Sequence, residues 1–170
     1  AGGTLTLRAW PLSPSVTANY ALGSGDNDSA DQYSHDFRQT GYQDNTARYG
    51  GVTSVYYYGA MLDPELSNLA IGTVGLGVRP IRTASLEVFY HHYRQDRPDD
   101  NLRGNLIDPP ARPNGQSDDI GWGLDVVVGV TQLWQRVKAS WTVGLFEPGE
   151  AFAPRQDRAL MNRLNITVEI

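Results

Sequence analysis

Apolar and polar residues alternate with period two from one end of the chain to the other, the pattern of β-strands that show one apolar face. The clearest run closes the sequence: Leu164, Ile166, Val168 and Ile170 share one face, and Arg163, Asn165, Thr167 and Glu169 the other. Upstream, Val137, Ala139, Trp141, Val143 and Leu145 alternate with Lys138, Ser140, Thr142 and Gly144. Ile120, Trp122, Leu124, Val126, Val128 and Val130 alternate with Gly121, Gly123, Asp125, Val127, Gly129 and Thr131 over a length suited to crossing a membrane. Leu86, Val88 and Tyr90 oppose Glu87, Phe89, His91 and Tyr93, whereas the run 68–78 is apolar and Gly-rich without a decisive phase. The segment 52–61, holding Tyr56, Tyr57 and Tyr58, adds another candidate strand. Two more open the chain: Leu5, Leu7 and Ala9 against Thr6, Arg8 and Trp10, then Val16, Ala18, Tyr20 and Leu22 against Thr17, Asn19 and Ala21. The count is about eight on the usual strand and hairpin signals.

Short and long connections alternate. The tight ones are 80–85 and 131–136; the long ones, 95–119 and 147–162, are rich in Pro, Asp and Arg. Short turns on one side and long loops on the other is the plan of bacterial outer-membrane barrels. Counting back by parity puts the long segment 23–46 on the short-turn side, against its Asp-rich composition. Either a strand is missing from the count or that segment tucks into the lumen. The pattern predicts an all-β fold, an antiparallel up-and-down transmembrane β-barrel of about eight strands in this chain. Residues 1–170 then form a single β-barrel domain, or the carboxyl-terminal part of a larger barrel.

Composition sharpens this reading. The chain is 40% hydrophobic, yet no window approaches the roughly 18 consecutive apolar residues of a membrane-spanning helix. A barrel stays open, because inward polar residues dilute its lipid-facing ones and its average hydropathy looks soluble. The 18 Gly, 9 Tyr and 4 Trp suit turns, small inward positions and interfacial aromatic girdles, where helices would favour Ala, Leu, Glu and Lys. With 14 Lys and Arg against 19 Asp and Glu the net charge is −5, which excludes nucleic acid held by a basic surface. The lack of Cys removes disulfides and thiolate metal sites and fits a periplasmic or surface location. Residues 1–4 carry neither a basic start nor an apolar signal segment, as expected of a mature chain or an internal fragment.

Five stretches, in order, are similar to the alginate export family of outer-membrane proteins: Gly23-Ser-Gly-Asp26, Phe37-Arg-Gln-Thr-Gly41, Leu62-Asp-Pro-Glu-Leu-Ser-Asn-Leu69, Val88-Phe-Tyr-His-His-Tyr-Arg-Gln95 and Gly144-Leu-Phe-Glu-Pro-Gly149. The resemblance implies a monomeric antiparallel barrel in the bacterial outer membrane, with arginines in its lumen that attract the carboxylates of an anionic polysaccharide, and a passive conduit rather than an enzyme. The complete family barrel has about eighteen strands, so the chain resembles its carboxyl-terminal part. The resemblance also implies a long periplasmic plug before the penultimate strand, where this chain has only 131–136, and a terminal aromatic residue read by the barrel-assembly machinery, where it has Ile170. The expected partners are outer-membrane lipids and lipopolysaccharide, an anionic polysaccharide and that assembly machinery, with no cofactor.

Arg8, Lys138 and Arg163 fall on the polar faces, and Arg38 lies in a family stretch; guanidinium groups bind carboxylates bidentately, so these four are the candidate pore-lining or substrate-binding cations. Glu87, Asp125 and Glu169 stand on the same faces as possible partners, and barrel interiors are also packed with such pairs for neutralisation alone. A zinc site is not expected, because adjacent His91 and His92 point to opposite faces. Asp26, Asp28 and Asp31 open like a calcium loop but lack its glycine and late glutamate, Phe37 standing at the twelfth position, so a solvated acidic loop fits better. For hydrolysis there is no Gly-x-Ser-x-Gly elbow, and only His35, His91 and His92 are available as bases. Trp10, Tyr20, Tyr56, Tyr57, Tyr58, Tyr90, Trp122, Trp134 and Trp141 fit headgroup girdles better than sugar stacking. Against the transport barrel stand two further classes: a small closed barrel filled by its own side chains, and a soluble lipocalin-like binder with its apolar faces turned inward.

Overall fold

The computed structural model describes residues 1–26, 35–41, 45–107, 112–133, 136–154 and 157–168. Among these, nine strands form: β1 (Gly2–Thr6), β2 (Ser15–Gly23), β3 (Thr46–Ala47), β4 (Val55–Tyr56), β5 (Leu69–Ile81), β6 (Ala84–Gln95), β7 (Asp119–Leu133), β8 (Val137–Pro148) and β9 (Ala159–Val168), with one 3-10 turn at Glu150–Phe152. No helix among the described residues is long and apolar enough to cross a membrane. Seven strands make one sheet in the order β1-β2-β5-β6-β7-β8-β9, every neighbouring pair antiparallel. The strands β3 and β4 pair only with each other. Six successive reversals of direction leave the two edge strands, β1 and β9, pointing the same way.

The connections sort by length. Segments 24–68, 96–118 and 149–158 lie at one end of the sheet, and 7–14, 82–83 and 134–136 at the other. Against the expectation of about eight, the main sheet among the described residues has seven strands. Residues 52–61 do not join the sheet and give only Val55 and Tyr56 to the small ribbon. Without that strand the parity conflict disappears, since β2 then ends and β5 then begins at the long-connection end. The opening strand is also shorter than expected. Pro11 and Pro14 lack N–H groups for a ladder, and the chain turns instead, Leu7 N–H donating to Pro14 O at 2.9 Å and Trp10 N–H to Leu7 O at 3.1 Å. Arg8 and Trp10 thus belong to a turn rather than a strand face.

The two faces of the sheet differ in kind. Leu5, Val16, Leu76, Val88, Val126 and Val143 stand side by side across six strands. On β9, Leu160, Leu164, Ile166 and Val168 expose 61–70% of their surface. This face is open, with Tyr20 and the stacked Tyr90–Trp122 pair, 5.9 Å apart, toward the long connections, and the exposed Trp10 in the first of the short turns beyond its other end. The run 68–78, whose phase the pattern leaves open, puts Ala70, Gly72, Val74, Leu76 and Val78 on this face.

The opposite face is packed. Residues 46–62 lie across it, burying Val55 against Phe89 and Val127. Nearer the long connections, Leu62, Leu69, Ile71, Tyr93, Leu102, Ile120, Phe146 and Ala151 form one core, to which two further connections contribute Leu102 and Ala151. Gly75 makes room for the Phe89 ring under Val55, since a Cβ there would lie 2.3 Å from it. The apolar groups of the open face are therefore outside, not in an internal core.

Candidate functional site

The packed face carries two kinds of polar residue. Beneath the strap formed by residues 49–62, side chains of the sheet grip its main chain. Arg79 donates to the carbonyl oxygens of Gly50 and Gly51 at 2.5 and 2.6 Å. Glu87 accepts from Gly51 N–H at 2.8 Å, Ser85 Oγ from Val52 N–H at 2.9 Å, and Asp125 from Ala60 N–H at 2.7 Å. Tyr93 donates its hydroxyl to Tyr58 O at 2.8 Å. The paired glycines allow this seating: a Cβ on Gly51 would lie 1.8 Å from Glu87 Oε2, and one on Gly50 would lie 1.9 Å from Ser15 Oγ.

Beside the strap, toward β8 and β9, a cleft of about 370 Å³ opens between the β3–β4 ribbon and the sheet. Arg48 and Tyr56 line it on one side, Lys138, Ser140, Asn165 and Thr167 on the other. The register explains the sheet wall: Lys138 faces Thr167, Ser140 faces Asn165 and Thr142 faces Arg163. Arg163 donates to the Tyr56 hydroxyl and lies over that ring, 5.1 Å from its centroid. Asp63, in the turn that ends the strap, is linked to this site by charge. Burial pushes its carboxyl from 3.8 up to about 6, the charge of Asp125 adding to the push while a hydrogen bond from Asn45 and the charge of Arg163 oppose it. The arrangement sets hydroxyl and amide groups beside the cationic side chains of Arg48 and Lys138, with Arg163 next to them.

The expected site residues separate accordingly. Lys138 lines the cleft, and Arg163 lies beside it, over the ring of Tyr56 that forms part of its wall. Glu87 and Asp125 lie on the same face but under the strap, 1% and 3% exposed, bound to its amides. Arg8 stands at the short-turn end, where it lines a cavity of about 700 Å³ with Arg79 and Arg82. Arg38 is in the first long connection, 3.3 Å from Asp36, which Arg103 and Ser67 also approach at 3.3 Å, so that Asp36 ties two long connections together. Glu169 lies outside the described residues, as do Ile170, Trp134, Asp28 and Asp31. The pattern missed Arg48 and Arg79. The Gly50-Gly51 pair was the one local signal of a close backbone approach.

His91 and His92 do point to opposite faces, the first buried and the second exposed. His91 Nδ1 is 2.9 Å from Thr73 Oγ1 and Nε2 is 3.3 Å from Asp125 Oδ2, the latter without hydrogen-bond alignment. This hydroxyl, imidazole and carboxylate series is sealed beneath the strap, all three residues at most 3% exposed, so no substrate reaches it. Among the described residues no group of three or more His, Cys, Asp or Glu is placed to hold a metal ion. Tyr56, Tyr57 and Tyr58 belong to the strap and ribbon, away from the girdle positions expected of them.

Comparison with known proteins places this geometry. The family model described as Alginate export matches residues 1–166. The chain is also 26% identical over 168 residues to the alginate production protein AlgE of Azotobacter vinelandii, a match covering 87% of this chain and 34% of that protein. It therefore spans about a third of the length of this curated relative. The family is one of export proteins and not of enzymes. Matched by its family model over nearly every residue, the chain belongs to the alginate export family.

Proposed function

We propose that these strands form part of the wall of an outer-membrane β-barrel through which an anionic polysaccharide passes passively. The observation that carries the reading is the contrast of faces: an aliphatic face exposed across all seven strands, and behind it a polar cleft lined by Arg48 and Lys138, with Arg163 beside it over Tyr56. A contiguous apolar surface of this extent suits lipid rather than water. On β7 it runs from Trp122 to Val130, nine residues, close to the roughly 9–11 with which a tilted strand crosses a bilayer. Phospholipid and lipopolysaccharide chains cover this face, and the aromatic residues at its two ends sit at the headgroups. The barrel-assembly machinery is its folding partner.

Strand direction speaks against a barrel closed by these seven strands alone. Bacterial outer-membrane barrels are antiparallel with an even strand number. Edges that point the same way cannot pair antiparallel, so closure takes an odd number of further strands between β9 and β1. The charges favour an anionic cargo. Segments 7–14, 79–85 and 131–138 contain Arg8, Arg79, Arg82, Arg136 and Lys138 and no Asp or Glu. With the short turns in the periplasm, a polyanion meets this positive end first and then the cleft.

Planar-bilayer recordings of the full-length protein test the reading. The expected result is a steady conductance that oligouronates slow. Replacing Lys138→Ala and Arg163→Ala together weakens that block about tenfold to a hundredfold, the loss of charged hydrogen bonds worth roughly 1.5–3 kcal/mol. Absence of conductance, or a conductance indifferent to oligouronate, overturns it.

A further inference from the structure

The strap is built differently from an ordinary loop resting on a sheet. Five side chains, from Arg79, Ser85, Glu87, Tyr93 and Asp125, reach from three adjacent strands to main-chain groups between Gly50 and Ala60. Four of these, Ser85, Glu87, Tyr93 and Asp125, are at most 3% exposed. A carboxylate facing a water-filled passage has no need of a buried amide partner, and one facing lipid is costly in any case. Two carboxylates buried against backbone N–H groups serve to fix that backbone, through bonds stronger than neutral ones. The strap also separates the buried grip from the open cleft, whose near wall is its own Val52, Thr53, Ser54 and Tyr56. Any solute moving along this face must pass beside it.

We infer that residues 49–62 are a fixed constriction that sets the free cross-section of the passage, and that Glu87 and Asp125 are positioning residues holding it against the wall. The inference rests on the conduit reading. In the full-length protein, the double variant Glu87→Ala with Asp125→Ala loosens the strap at both ends by removing its two charged grips. Since conductance follows the width of a pore, unitary conductance is expected to rise roughly twofold and block by oligouronate to become shorter-lived.

A lock supplies the counter-test. The sequence contains no Cys. A Cβ built on Gly129 lies 3.1 Å from Thr53 Cβ, near the roughly 3.5–4.5 Å that a disulfide spans. Adding Thr53→Cys and Gly129→Cys to the double variant is expected to return conductance to the wild-type level under oxidation and release it under reduction. Wild-type conductance in the freed and reduced protein overturns the inference while leaving the conduit intact; a wild type that conducts nothing overturns the conduit itself. Should the double alanine variant fail to fold, Ser85→Ala with Tyr93→Phe, which removes one acceptor and one donor without uncovering a charge, decides instead. An increase of conductance in that pair supports the constriction, and an unchanged level overturns it.

Discussion

On β8 and β9 the two faces can be compared residue by residue. Trp141, Leu164 and Ile166 look out from one side with 43–64% of their surface exposed, while Thr142 and Phe146, on the other side of β8, are at most 8% exposed. The first side makes almost no hydrogen-bonding demands and needs only a solvent as apolar as itself. The second buries carboxylates, hydroxyls and an imidazole, and must supply each with a partner of its own. A single two-residue repeat thus serves two environments, and the face a substitution falls on should outweigh its chemistry.

The largest expected effect follows from that. Val126→Arg, in the middle of the open face, should destabilise the full-length protein in lipid vesicles by about 2–4 kcal/mol, while Ser140→Arg at the cleft should stay within about 0.5 kcal/mol. Urea titration of the folded fraction measures both, and equal losses would break the assignment of faces.

A smaller effect concerns acid. Asp63, raised to about 6, is neutral below that pH and negative above it. The stability it contributes is therefore fully present below its ordinary 3.8 and is lost as pH rises through about 6. Ionised Asp63 also offsets the charge of Arg163, so oligouronate should block a few-fold more strongly at about pH 5 than at about pH 7.5. Asp63→Asn should block strongly at both; a pH dependence that survives in it would exclude Asp63 as the source. The least effect is expected of Trp141→Phe, which removes the 2.6 Å bond to Asn162 Oδ1 at an exposed site. Its cost should lie within about 0.5 kcal/mol in the same titration.

What could be read from the pattern was whatever depends on neighbours along the chain. The faces of β6, β8 and β9, and of β7 from Trp122 to Val130, follow from alternation alone and the structure keeps them, whereas a register shift at the start of β7 turns Ile120, expected beside Trp122, into the packed core. For β5 the phase was hidden because its packed side carries Leu69 and Ile71, as apolar as the open side, to fill the core under the connections. With that phase unknown, Arg79 could not be placed, although it shares parity with Leu69 and Ile71. The strap imitated a strand because Tyr and Val suit strands wherever they occur. Its true setting depends on partners that sequence spacing cannot reveal: the Arg163–Tyr56 contact joins residues 107 positions apart, and the Ala60–Asp125 bond joins residues 65 apart.

Because the sheet grasps amide and carbonyl groups, which every residue type other than proline possesses, the grip makes few demands on the side chains beyond the two glycines it needs at 50 and 51. Thr53, Ser54 and Tyr56 are free to change identity while the peptide beneath them stays where it is. Evolution could then retune what the cleft prefers, exchanging a hydroxyl for a ring or a charge, without rebuilding the wall that carries it.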